Sequence, residues 1–167
     1  MMTRMMILLA GLAVGLSSCA QNAEPKQEIP AEHVALYKFP VQKSADAWKA
    51  QLTKKQYYVL REAGTEIPFT NEYWDNKKQG IYVCAGCENE VFSSASKYKS
   101  GTGWPSFWEP IADDAVGTAT DNSLFMKRVE VHCADCGGHL GHVFEDGPDP
   151  TGLRYCMNSA AMKFVER

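Results

Sequence analysis

The sequence predicts a mainly β domain with short helices at its N-terminal end, and three observations lead there. The runs "GIYVCAG", "NEVFSS", "LFMKRVEVHCADC", "HLGHVF" and "LRYCMNSA" alternate or carry β-branched and aromatic residues. Gly, Pro, Asp and Asn bound them, which are strand and turn signals at close spacing. A single earlier stretch, "SADAWKAQLTKKQYYVLREAG", has apolar residues near helical spacing, Ser44 as an N-cap and a closing Gly64. It predicts one or two short helices. Helices first and strands afterwards, rather than in alternation, point to an antiparallel β core with a segregated helical part.

The bulk numbers agree. A chain of 167 residues holds one ordinary domain. With 45% hydrophobic and 22% charged residues it is foldable rather than disordered. A net charge of -3 with mixed signs and no basic stripe gives no footprint for nucleic acid. Four of the seven methionines, Met1, Met2, Met5 and Met6, fall in the first few residues, so a soft-metal methionine site is not expected.

In chain order, "MMTRMMILLAGLAVGLSSCA" has a positive charge at Arg4 and 12 apolar residues from Met5 to Leu16. That is short of the roughly 20 needed for a span but fits a signal-peptide core. It ends in "LSSC", which resembles a bacterial lipobox in which Cys19 is lipidated and becomes the first residue of an exported, membrane-anchored protein. The alternative is an ordinary leader cut near Ala20. Residues 1–18 are therefore expected as leader, 19–43 as a polar, proline-punctuated tether, and 44–167 as the domain. His33 stands alone in the tether and is expected to be solvated.

Six cysteines follow a simple arithmetic. Cys84 and Cys87 in "CAGC" and Cys133 and Cys136 in "CADC" form two C-x-x-C turns, 45 residues apart. Two such turns supply the four thiolates of a closed structural zinc site, which has no open position for chemistry. Disulfides are the competing reading for an exported protein, although neither pair sits in a thioredoxin-like pattern. A zinc deaminase would need an H-x-E element, and none occurs. With Cys19 given to lipid and four cysteines to metal, Cys156 is left over.

On a strand, side-chain alternation puts Arg154, Cys156 and Asn158 on one face. A free thiol with a pKa near 8.5 is mostly protonated at neutral pH, so reactivity calls for nearby charge or donors. Arg154 offers the charge to keep it ionised and Asn158 an amide. His139 and His142 are three apart, so both reach one site only if the strand bulges, which Gly141 permits. In "SGTGWPSFW", glycines flank Thr102, and Trp104, Phe107 and Trp108 lie on an inflexible loop. Such aromatics line an apolar pocket or simply close the core.

"SGTGWPSF", "HLGHVFEDGP" and "RYCMNSAAMKF", with both C-x-x-C pairs and the entry "QYYVLREAGTEIPFTNEYWDN", resemble the B-type peptide-methionine (R)-S-oxide reductases over residues 44–165. The resemblance implies two antiparallel sheets with N-terminal helices, and reduction of the R epimer of methionine sulfoxide, one enzyme serving each epimer. It implies Cys156 as nucleophile, Trp104 as the wall for the substrate methyl, and His139, His142 and Asn158 around the sulfoxide oxygen. Asp146 and Arg154 match residues that assist binding and electrostatics, and Phe107 belongs to the same aromatic loop. Cys84, Cys87, Cys133 and Cys136 match the zinc set. The expected partners are oxidised proteins and a thioredoxin-like or small-thiol reductant, with no organic cofactor. Thr102 departs from the pattern, since many members carry a recycling cysteine there.

Overall fold

The computed structural model describes residues 39–123 and 127–167. The leader, most of the tether, Cys19 and His33 lie outside them. Helix α1 (Ala45–Gln51) starts where the Ser44 hydroxyl accepts from the Ala47 N–H at 3.2 Å. Helix α2 (Lys54–Glu62) opens with a reciprocal capping box between Thr53 and Gln56. The C-terminal left-handed residue is Ala63, one before the expected Gly64. Gly64 is needed for space instead: a Cβ there would lie 2.2 Å from the Tyr58 ring. Among the described residues no helix is long and apolar enough to cross a membrane.

Among the described residues nine strands follow: β1 (Gly80–Cys84), β2 (Glu90–Ser93), β3 (Lys97–Tyr98), β4 (Ser106–Phe107), β5 (Val116–Asp121), β6 (Arg128–Cys133), β7 (His139–Phe144), β8 (Arg154–Met157) and β9 (Met162–Glu166). They form two antiparallel sheets, β2-β1-β9 and β3-β4-β8-β7-β6-β5. The mainly β expectation holds. The sequence reading did not pick out β3, β4, β5 and β9. β3 and β4 have two residues each. β5 is an edge strand with no buried residue, so no apolar face marks "VGTATD". In the run from 124 to 136 the strand begins at Arg128, and residues 124–126 lie outside the described part.

The aromatic centre of the core joins the two sheets. Phe92 of β2 stacks on Phe107 of β4 at 4.5 Å, and Tyr82 of β1 meets Phe107 edge-on at 5.1 Å. Trp48, Val59 and Leu60 insert from the helices, and all are nearly inaccessible. Each such side chain contributes about 1.5–3 kcal/mol on burial. β8, which carries Cys156, runs in the interior of the larger sheet between β4 and β7. A thiol on a solvated edge is thereby excluded.

Candidate active site

Each C-x-x-C forms a turn directly after a strand, β1 in one sheet and β6 in the other. The two turns close by matching bonds. Glu88 N–H donates to Cys84 C=O and Gly137 N–H to Cys133 C=O, both at 2.9 Å. Cys84 N–H reaches Asn89 C=O at 2.7 Å, and Cys133 N–H reaches Gly138 C=O at 2.9 Å. Glu88 and Gly137, four residues after the first cysteine of each turn, both take left-handed φ, 67° and 65°. The turns face one another, so all four sulfurs lie within 4.8 Å. Cys84 Sγ is 3.7 Å from Cys136 Sγ, and Cys87 Sγ is 3.4 Å from Cys133 Sγ. These are not disulfides, whose sulfurs sit about 2.05 Å apart. Four thiolates bonded at about 2.3 Å to one tetrahedral ion would be spaced by about 3.8 Å. The cluster therefore fits a structural metal site, and such an ion would tie one sheet to the other. Trp48 of α1 packs over the first turn, while Arg61 of α2 donates to Cys136 C=O at 3.0 Å.

Cys156 lies apart from this cluster and lines a cleft of about 80 Å³ with Thr65, Trp104, Arg128, His142, Phe144 and Asn158. Cross-strand pairing sets His142 directly opposite Cys156 on one side and Ser106 on the other. The Thr102 hydroxyl is 3.8 Å from the sulfur and 2.8 Å from Ser100, whose hydroxyl is 2.7 Å from Ser106. A short string of hydroxyls thus faces the thiol where a second thiol is absent. Gly103, with φ +86°, lets the Trp104 loop pass against Phe69, whose N–H donates to Gly103 C=O at 2.8 Å. Trp104 is fixed by its Nε1–H, which donates to Glu66 C=O at 3.1 Å.

The expected bulge is present. Val131 pairs with Gly141 but His132 with His139, so Leu140 is the extra residue of β7. The bulge brings the His139 and His142 rings to 5.3 Å between centroids. Gly141 is required by a close approach: a Cβ there would lie 2.2 Å from the Cys156 carbonyl oxygen. Each ring has a carboxylate behind it. Asp121 Oδ2 is 2.8 Å from His142 Nε2 and also accepts from Arg128 at 2.7 Å. Glu130 Oε1 is 2.7 Å from His139 Nδ1. The Ser123 N–H and hydroxyl, together with His142, hold Asp121 well below the usual carboxylate range, and the His139 bond lowers Glu130. Both acids are therefore ionised, and each fixes its imidazole tautomer with the proton toward the carboxylate. Burial lowers His142 despite Asp121, so that ring is neutral at pH 7.

Two other side chains lie differently from expectation. Phe107 is fully buried between Phe92 and Tyr82 and does not line the cleft. On β4, alternation turns Ser106 toward Cys156 and Phe107 to the opposite, core face. Asn158 falls just beyond β8 and lines the cleft, but its amide is largely committed. Its Nδ2 donates to Leu140 C=O at 3.1 Å, and its Oδ1 accepts from Glu66 N–H at 3.0 Å. Arg154 makes a two-pronged pair with Asp146 at 2.8 and 2.9 Å and lies over the Phe144 ring at 4.3 Å.

The thiol itself corrects one expectation. Burial pushes Cys156 above the ordinary thiol range, and the Thr102 hydroxyl, the Arg154 charge and Ser106 only offset part of this. At neutral pH the sulfur is protonated at rest rather than kept ionised. A raised pKa means the reactive thiolate appears only as pH rises. The rate of Cys156 alkylation by iodoacetamide, read by peptide mass spectrometry, is expected to keep climbing above neutral pH, with its midpoint higher than that of an unperturbed thiol. Arg154→Gln shifts that midpoint further up. A plateau already reached below pH 7 would show the opposite.

The sequence reading missed the groups behind the site: Asp121, Glu130, Arg128, Glu66 and the Ser100–Ser106 hydroxyls. Glu66 is buried, receives the Ala160 N–H at 3.0 Å, and through its backbone holds both Trp104 and Asn158. Glu130 and Arg128 sat in a recognised strand, where only alternation with Val129 and Val131 hinted at a polar face. Asp121 and Ser106 had no signal of their own.

Two antiparallel sheets stapled by sulfur, with one thiol apart from that cluster in a cleft with a histidine and an aromatic wall, define a small thiol-type oxidoreductase. Residues 52–166 match the SelR domain family. Peptide methionine sulfoxide reductase MsrB of Methanosarcina mazei is 56% identical over 126 residues, 75% of this chain and 90% of that protein. The Leptospira interrogans protein of the same name is 54% identical over 126 residues, covering 75% and 96%. Peptide methionine sulfoxide reductase B1, chloroplastic, of Arabidopsis thaliana is 47% identical over 156 residues, 93% of this chain and 74% of that protein. The chain belongs to the MsrB family of peptide methionine sulfoxide reductases.

Proposed function

We propose that this protein reduces the R epimer of methionine sulfoxide, in proteins and in the free amino acid, through Cys156. The observation that carries it is the one thiol among the described residues that lies outside the sulfur cluster, facing Trp104 across a cleft with His142 directly opposite. The substrate methyl packs against Trp104 and the sulfoxide oxygen turns to the His142 side. His142, with its Nε2–H given to Asp121, keeps Nδ1 as acceptor. It takes the Cys156 proton as the sulfur attacks and passes it to the sulfoxide oxygen. The sulfoxide S–O bond breaks, methionine leaves reduced by two electrons, and Cys156 becomes a sulfenic acid. The thiol proton and the transferred oxygen together form that acid, so the step balances. Exchange of methyl and oxygen in the S epimer sets oxygen against the indole and methyl against polar groups, which supports the stereochemical choice.

Thr102 beside the sulfur supports recycling from outside. One external thiol condenses with the sulfenic acid, releasing water, and a second frees Cys156 as a thiol; a small thiol or a thioredoxin-like protein serves. The ion in the four-cysteine cluster is zinc, held by Cys84, Cys87, Cys133 and Cys136, and its role is to stabilise the fold. His139, Asp146 and Arg154 support the site's electrostatics. Residues 1–18 act as leader, 19–43 as tether and 44–167 as the reductase domain. Cys19 carries the lipid that anchors an exported protein, a reading supported by Arg4, the apolar run from Met5 to Leu16 and the closing "LSSC", and tested by labelled-palmitate incorporation that Cys19→Ser removes.

The deciding assay uses separated R and S sulfoxides with dithiothreitol. R is consumed and S is not; consumption of S alone would end the assignment. After one equivalent of R without reductant, mass spectrometry is expected to find one added oxygen on Cys156. A disulfide from Cys156 to another cysteine of the chain would refute external recycling.

A further inference from the structure

The cleft at Cys156 holds little more than a sulfoxide and its methyl, so the polypeptide bearing the oxidised methionine must rest elsewhere. Trp104, which walls that cleft, also lines a second cavity of about 290 Å³. Phe69 and Trp74 form its apolar side, 54% and 37% exposed and edge-to-face at 5.5 Å. Phe69 has φ +62°, a left-handed conformation that is strained for a bulky side chain. The bond to Gly103, on the Trp104 loop, holds it there. The ring gains no place in the core from this strain, since it stays half exposed on the wall of the groove. Strain kept without burial is a mark of a functional surface.

The charge on the rim is mostly positive. Lys77, Lys78, Lys97 and Lys99 line the groove against one acid, Asp75, in a chain whose net charge is -3. Asp75 is 3.5 Å from Lys77, and Lys78 pairs with Glu166 at 2.8 Å. Lys97 donates to the Trp74 carbonyl at 3.3 Å, and Lys99 has no ion pair among the described residues. Aromatic surface ringed by ammonium groups suits an extended segment with an apolar side chain next to carboxylates.

We propose that this groove seats the substrate polypeptide flanking the oxidised methionine and selects for acidic neighbours. The proposal rests on the reductase reading and adds a sequence preference to it. Continuity through Trp104 assigns the groove to the substrate chain rather than to the reductant.

The test uses the full chain, dithiothreitol and three peptides of equal length carrying R-sulfoxide flanked by Asp, Gln or Lys. kcat/KM for the Asp peptide is expected to exceed that for the Lys peptide about tenfold at low salt, and the gap to close as salt screens the lysines. Lys97→Glu with Lys99→Glu reverses the order. Phe69→Gly relieves the backbone as well as removing the ring, and raises KM for peptides several-fold more than for free methionine sulfoxide. Equal kcat/KM across the three peptides, or an unchanged order in the double variant, overturns the groove while leaving the reductase reading intact. A double variant that instead raises KM only for a protein reductant also overturns it and gives the surface to that partner. No reduction of any R-sulfoxide would sink the underlying activity instead.

Discussion

Cys156→Ser is expected to lower reduction of R-sulfoxide by at least about 10⁴-fold, the scale of losing a catalytic nucleophile. A serine hydroxyl is a far weaker nucleophile and cannot take up the sulfoxide oxygen in the way sulfur does. The same variant keeps its fold. Its hydroxyl has the Thr102 and Ser106 hydroxyls nearby to bond, so the stability change is about 1 kcal/mol or less. Metal content is untouched, because Cys156 is not one of the four clustered sulfurs. Turnover, melting temperature and bound metal measured on one preparation separate the possibilities. A module that only recognises oxidised peptides would lose nothing in this variant. A thiol peroxidase would lose peroxide consumption but show no dependence on Trp104.

Cys84→Ser is expected to do the reverse, striking the fold first. Cys84 ends β1 and its turn faces that of Cys133 and Cys136 at the end of β6, so the four sulfurs bridge both sheets. Binding of zinc to four thiolates is coupled to folding with an apparent free energy on the order of 10 kcal/mol. Losing one ligand, with Cys84 wholly buried, forfeits much of that. The expected result is less than a tenth of the bound metal of the parent and a melting temperature lower by at least about 15 °C. A variant with full metal content and unchanged melting would show that the cluster is not a metal site that holds the sheets together. The contrast with Cys156→Ser makes the division of labour among the cysteines directly measurable.

How legible the molecule was can be judged from particular residues. The helices were readable because Ser44 caps the first one locally and apolar residues recur near helical spacing. The Leu140 bulge was readable because two histidines three apart cannot share a strand face without one. β5 was not, since a solvent-facing edge strand needs no apolar pattern. Phe107 was misplaced because one position of shift along a two-residue strand changes the face a side chain occupies, and no turn signal fixes that parity. The ionisation of Cys156 was also misjudged. Sequence names the nearby arginine but not the burial that outweighs it.

The sequence by itself determined the inventory: two metal-type cysteine turns, one thiol left over, a histidine pair with a glycine between, and the family motifs that order them. These are properties of residue type and local spacing, and local chemistry suffices to state them. Only the tertiary structure decided which strands lie side by side, and so which partners those residues meet. Pairing β8 between β4 and β7 sets His142 and Ser106 against Cys156, while the β5–β6 hairpin delivers Asp121 and Glu130 behind the imidazoles. The physical reason is that hydrogen-bond reach is a few ångströms in space whatever the separation along the chain. The protonation states of the site follow from packing that no local stretch of sequence contains.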